Sequence, residues 1–195
     1  MVPPPSRRAD AQRNRERLLA AAEAVLNERG VTASLDDIAK AAGVGNATLY
    51  RHFATRETLI EAVYDQRIRT LCESAERLSV AAGEPGASLL VWLRQVVVHI
   101  TESRVLGEAF LAERKEPGGV EPPQIAEWHH AIHVAAAPLV ARAQDAGAVR
   151  ADLDVLELMA LTTAVARAGN PSQAERFLDV LLDGVVPRSA PDSDS

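Results

Sequence analysis

Apolar positions recur along this chain every three or four residues, and no stretch alternates apolar with polar over the length of a strand. That period predicts an all-α protein. Ala11, Leu18, Ala22, Val25 and Leu26 mark the buried face of a first helix over residues 9–29, which Gly30 stops. Residues 34–53, SLDDIAKAAGVGNATLYRHF, read as two short helices joined by a tight turn. Ser34 is a natural N-cap, and Asp37 stands three residues on, at capping-box spacing. Leu35, Ile38 and Ala39 form one apolar stripe, and Gly43 supplies the positive φ that ends the first of the two helices. Val44 packs under the turn, and Leu49 and Phe53 face inward at i, i+4. A small residue, a glycine four later and an apolar residue six after that is the spacing of a helix-turn-helix.

A fourth helix starts at the capping Thr55 and carries Leu59, Val63, Tyr64, Ile68, Leu71, Ala75 and Leu78 on one stripe, as far as the GEPG break at 83–86. The remainder also reads as helices. One spans 87–103, a shorter one about 104–115, and one spans 124–146 with Pro138 inside it and Gly147 closing it. Another starts at a capping Asp152 and runs to 168, and the last spans 171–183 with Ala174, Phe177, Leu178, Leu181 and Leu182 inward. Both of the last two are apolar over wider faces than one subunit core requires, which predicts an isologous homodimer through a four-helix bundle, with a plain intrasubunit core as the alternative. The expected organisation is a disordered basic arm over 1–8, a three-helix DNA-binding domain over 9–54, a helical ligand-binding and dimerisation domain over 55–186, and a disordered tail over 187–195.

Composition narrows the function. The chain has 195 residues, of which 47% are hydrophobic, enough for a substantial core. No apolar run approaches the ~18 residues of a membrane span, and MVPPPSRRAD lacks the apolar stretch of a signal peptide. Cys72 is the single cysteine, so no intrachain disulfide framework exists, which fits a reducing cytoplasm. The net charge of −6 is unevenly spread: residues 1–56 hold 9 Arg/Lys against 6 Asp/Glu, and residues 57–195 hold 12 against 21. A positive head on an acidic body suits a DNA-binding module carrying a separate second function. No nucleophile elbow, phosphate-binding glycine loop or dinucleotide fingerprint is present, so no enzyme activity and no cofactor are assigned.

The outward face of the helix that starts near Gly45 is short and polar, as a helix end entering a major groove requires. Thr48 can bond a base edge or pack its methyl on thymine, Asn46 has amide geometry for adenine, and Arg51 suits guanine or a phosphate. Tyr50 and His52 can donate to phosphate oxygens, and Arg7 and Arg8 can reach DNA from the arm. Arg56, in the first turn of the fourth helix, opposes that helix's dipole unless a phosphate faces it. The expected DNA-contacting set is Ser34, Gly45, Asn46, Ala47, Thr48, Tyr50, Arg51, His52 and Arg56, with Arg7 and Arg8.

At these residues the chain resembles a known family. RLLAAAEAVLNERGV (17–31), SLDDIAKAAGV (34–44), TLYRHF (48–53) and TRETLIEAV (55–63) are similar to the N-terminal domain of the TetR family of bacterial transcriptional repressors. Two positions depart from its pattern: Gly45 where the family often has a capping serine, and Ala54 where proline is common. The resemblance implies dimerisation through the last two long helices and a repressor that leaves a palindromic double-stranded DNA operator when a small-molecule effector binds.

In the body, Trp92, His99, Phe110, Trp128, His129, His133 and Met159 are the candidate ligand-lining residues, because a pocket between helices needs apolar walls and a few orienting polar groups. Core packing is the competing use of each. His129 and His133 share a helix face at i, i+4, a spacing that can bind a transition metal, but no nearby cysteine or metalloprotease glutamate completes a set, and no metal is assigned. The rival reading from a different class is a helical sequestering protein whose hairpin never meets DNA.

Overall fold

The computed structural model describes residues 7–113, 123–168 and 170–185. Among them are eight α-helices and no strand: α1 (Arg7–Arg29), α2 (Leu35–Ala42), α3 (Asn46–His52), α4 (Arg56–Val80), α5 (Pro85–Glu113), α6 (Pro123–Asp145), α7 (Val155–Arg167) and α8 (Pro171–Val185). Residues 1–6 of the disordered arm expected over 1–8, and the whole of the tail expected over 187–195, lie outside the described residues. The chain divides into two compact units, Met1–Arg67 with Glu102–Pro122, and Ile68–Thr101 with Pro123–Ser195. The expected boundary at 54/55 falls between α3 and α4, whereas the first unit runs on into α4 and takes in the end of α5.

The first unit packs α1 against α2 and α2 against α3 over a core that includes Leu18, Leu26, Ile38, Leu49 and Leu59. α1 begins earlier than expected. Arg7 and Arg8 stand on its first turn rather than in an arm, with Asp10 there favouring the dipole and paired to Arg13. Ala11 is exposed, because the buried face of α1 starts only at Leu18.

In the second unit, α6 packs on α7 and α7 on α8. Trp92 is fully buried, and its indole N–H donates to the Leu71 carbonyl at 3.0 Å. Residues 87–103 and 104–113 form one helix and not two. No proline interrupts it there, and the Thr101 hydroxyl is satisfied locally by the carbonyls of Val97 and Val98, both at 3.0 Å. α6 runs through Pro138, which is exposed, as is Val134, whose carbonyl the proline leaves without its helical donor. α7 is capped by Asp154 and not by Asp152. Asp154 accepts from Glu157 N at 2.8 Å while Glu157 accepts from Asp154 N at 3.0 Å, whereas the Asp152 carboxylate is bonded to Arg150 at 2.5 and 2.6 Å. On α8, Ala174 and Leu178 are buried as expected, but Phe177 faces outward at 39% exposure.

One guanidinium ties α6 to the end of α4. Arg142 donates from Nη1 to the carbonyls of Leu78 and Ser79, both at 3.1 Å, and from Nη2 to Ala81 at 2.7 Å and Gly83 at 3.2 Å. The last carbonyls of a helix have no partner within it, so a forked cation meets that need and also complements the dipole. Arg142→Ala should therefore lower unfolding stability by about 2–3 kcal/mol. Arg142→Lys should recover only part of it, because an ammonium cannot fork across four carbonyls. Urea unfolding followed by circular dichroism measures both.

Candidate nucleic-acid interface

The interface is built around the turn between α2 and α3. α2 opens with a reciprocal capping box: Ser34 Oγ accepts from Asp37 N at 3.0 Å and donates to Asp37 Oδ2 at 2.7 Å. The Asp37 carboxyl is held below the usual carboxylate range, first by the Ser34 hydroxyl, then by the Ser34 backbone, with Arg29 3.2 Å away adding to it. Ser34, expected as a DNA contact, thus has its hydroxyl engaged within the box. α2 ends at Gly43 with φ +64, where Gly43 N donates to the carbonyls of Ala39 and Lys40 and Val44 N to Ala39 at 3.0 Å. This is a Schellman closure, and its left-handed residue favours glycine. Arg17 of α1 completes it by donating from Nη2 to the Ala42 carbonyl at 2.6 Å.

α3 begins three residues after Gly43. Its N-cap, Gly45, is extended at φ −76 and makes no side-chain cap. Leu49 and Phe53 are buried, and the Arg15 guanidinium stands 5.4 Å from the Phe53 ring centroid, a cation–π distance. With these two residues fixed inward, Asn46, Ala47, Tyr50 and Arg51 are exposed, and Thr48 and His52 are half-buried at the edges. The recognition residues expected on α3 therefore share one accessible surface. Asn46 Nδ2 donates to Asp36 Oδ1 on α2 at 2.7 Å, and Arg51 Nε donates back to the Ala47 carbonyl at 3.1 Å.

Of the expected contacts outside α3, Arg56 donates to the Ala33 carbonyl, a bond within the protein at the start of α4. Arg8 is exposed on the first turn of α1; for Arg7 only the helical backbone is described.

Sequence reading missed Arg67. It is 9% exposed, and each guanidinium nitrogen has a partner: Nε with Glu23 Oε1 at 2.8 Å, Nη1 with Ser103 Oγ at 2.8 Å and Nη2 with Asn27 Oδ1 at 3.0 Å. Arg67 thereby joins α1, α4 and α5 within the first unit. The signal was available, since 59, 63, 67 and 71 form one i, i+4 row in which arginine replaces an apolar residue.

The candidate ligand residues are scattered in character. Trp92, Trp128 and Met159 are buried, His99 and His133 half-buried and His129 exposed. α5 passes through Phe110, whose side chain lies outside the described residues. Burial, and then His129 and His130, hold the His133 imidazole below its ordinary value, so it is neutral near pH 7. Among the described residues no group of three His, Cys, Asp or Glu could hold a metal ion, and no helix is long and apolar enough to cross a membrane.

A helix-turn-helix with an open recognition face, followed by a helical second part, defines a DNA-binding transcriptional regulator. Residues 18–63 match the description "Bacterial regulatory proteins, tetR family", and residues 84–187 match "Transcriptional regulator SbtR-like, C-terminal domain". The chain belongs to the TetR family of bacterial transcriptional regulators, which are not enzymes. It is similar to the crystal structure of the TetR regulator SCO0520 from Streptomyces coelicolor, with 35% identity and a TM-score of 0.74 over 90% of this chain and 99% of that one. A TetR regulator from Mycobacterium vanbaalenii is similar at 34% identity and a TM-score of 0.75, over 92% and 99% of the two chains. The regulator AcrR of Shigella flexneri is 34% identical over 100 residues, a match spanning 51% of this chain and less than half, 45%, of AcrR.

A Cβ at Gly45 would meet nothing within 4 Å, and the backbone there suits an ordinary residue. Gly45→Ser should therefore add the missing cap to α3 and stabilise the fold by about a few tenths of a kcal/mol. A small rise in melting temperature checks this; a fall would mean that the space at Gly45 is occupied.

Proposed function

We propose that the chain is a homodimeric repressor that holds a palindromic operator with α3 of each subunit in a major groove and leaves it when a small molecule enters the helical body. The observation that carries this reading is the outward face of α3, where Asn46, Ala47, Tyr50 and Arg51 are exposed while Leu49 and Phe53 are locked inward. Two-fold symmetry then sets half-sites about 34–36 Å apart, or a multiple of that. Surplus apolar surface on the last two helices supports the homodimer: Leu156 is 55%, Leu161 40%, Phe177 39% and Val180 66% exposed. Isolated residues of this kind are ordinary, but four on two adjacent helices suit burial against a second copy.

For the effector, buried Trp92, Trp128 and Met159 supply apolar wall, and half-buried His99 and a neutral His133 supply polar groups. That chemistry suits a largely apolar, uncharged guest. Such a ligand releases DNA only as far as its affinities for the two conformations differ, typically by about 1–3 kcal/mol. Action on bacterial DNA supports a cytoplasmic location as part of this reading.

Selection of duplexes from a random pool tests the reading: a palindrome should be enriched. Thr48→Ala and Tyr50→Ala should each weaken binding to it about tenfold while leaving the melting temperature unchanged. Arg51→Ala should also lower the salt dependence by about one unit of slope. Retention of no duplex at any salt would favour the sequestering reading. In sedimentation, Phe177→Arg and Leu161→Arg should shift the protein towards monomer; a monomeric wild type would sink the dimer.

A further inference from the structure

We infer that Asp36, on α2, is a positioning residue for base recognition: it fixes which end of the Asn46 amide faces outward from α3. The inference rests on α3 being the recognition helix and goes one residue beyond its face. Asn46 and Asp36 are both exposed, ten residues apart in sequence, and joined across the turn by the 2.7 Å bond from Asn46 Nδ2 to Asp36 Oδ1.

A carboxylate only accepts, whereas an amide has a donating end and an accepting end. Were the Asn46 amide reversed, Oδ1 would face the carboxylate and two acceptors would oppose one another. Asp36 therefore selects the orientation with Nδ2 turned toward α2, leaving Oδ1 and the second N–H for an outside partner. A carbonyl beside an N–H is the pair that meets the exocyclic amine and N7 of adenine. An amide free to reverse presents that pair only part of the time.

Neither residue is occupied by the neighbouring caps. The N-cap of α3 is Gly45, so the Asn46 side chain is not closing its own helix. On α2 the capping box belongs to Ser34 and Asp37, and the nearby Arg29 pairs with Asp37. In the free protein, water competes with an exposed bond of this kind. When a groove closes over it that competition is removed and the bond strengthens.

The experiment is duplex selection and competition binding with wild type, Asn46→Ala, Asp36→Asn, Asp36→Glu, Asp36→Ala and the double variant Asp36→Asn/Asn46→Ala. Asn46→Ala identifies the base pair in each half-site that Asn46 reads. At that pair Asp36→Asn should lose roughly tenfold in preference, although it is isosteric, because an amide can donate as well as accept and so tolerates both orientations of Asn46. Asp36→Glu, still acceptor-only, should recover part of the preference. In the Asn46→Ala background, Asp36→Asn should change nothing further at that pair. A steric or helix-dipole role for Asp36 would not produce this pattern. Removing a negative charge can tighten overall DNA binding, so the readout is the ratio between bases and not the affinity.

Wild-type preference kept by both Asp36→Asn and Asp36→Ala would overturn the inference, as would an equal loss caused by Asp36→Asn when Asn46 is already alanine. If Asp36→Ala fails to fold, the isosteric variant decides alone. Failure of the underlying reading looks different: wild type enriches no sequence, or Asn46→Ala leaves every base preference intact.

Discussion

A left-handed residue between two short helices governs the first unit. Gly43 at φ +64 sets the direction in which the chain leaves α2, and α3 begins only three residues later. A side chain there would strain the backbone, and its Cβ would come within 2.8 Å of Arg17 Nη2. Arg17 is at that spot because it bonds the Ala42 carbonyl, so the arginine on α1 and the glycine after α2 form one device. It closes a helix end, brings α1 against α2, and leaves buried Leu49 and Phe53 to hold α3 on the core.

Elsewhere arginine side chains join helices by meeting oxygen atoms that no helix satisfies internally. Arg142 holds four carbonyls at the end of α4, Arg56 holds the carbonyl before α2, and Arg67 matches three nitrogens to Glu23, Asn27 and Ser103. A planar fork with several donors suits each place better than an ammonium. Burying the Arg67 cation would be costly without partners, and here its partners come from α1 and α5. α4 itself runs unbroken from Arg56 past Arg67 to Val80.

How far the sequence revealed this depends on whether a feature is local. The capping box at Ser34, the glycine turn and the inward pair Leu49 and Phe53 follow from spacing within twenty residues, and all are found. The start of α7 was misplaced by two residues because Asp152 and Asp154 are both capping types, and only Asp154 has a glutamate three residues on. α5 is one helix where two are expected, and no proline interrupts its ladder near residue 104. The outward turn of Phe177 and the partners of Arg17, Arg56 and Arg67 are tertiary facts. They depend on which surfaces meet across 23 to 44 residues of chain, and periodicity on one helix does not carry that information.

The division on α3 between locked and open positions also bears on how such a protein diversifies. Leu49, Phe53 and Gly43 answer to packing and backbone geometry, so changes there damage the fold first. Ala47, Tyr50 and Arg51 point away from the core, and the place beside Gly45 is empty. After gene duplication, a copy can accumulate substitutions on that outer face and acquire a new genomic address while its scaffold stays intact. Divergence of regulatory targets can thus outpace divergence of architecture.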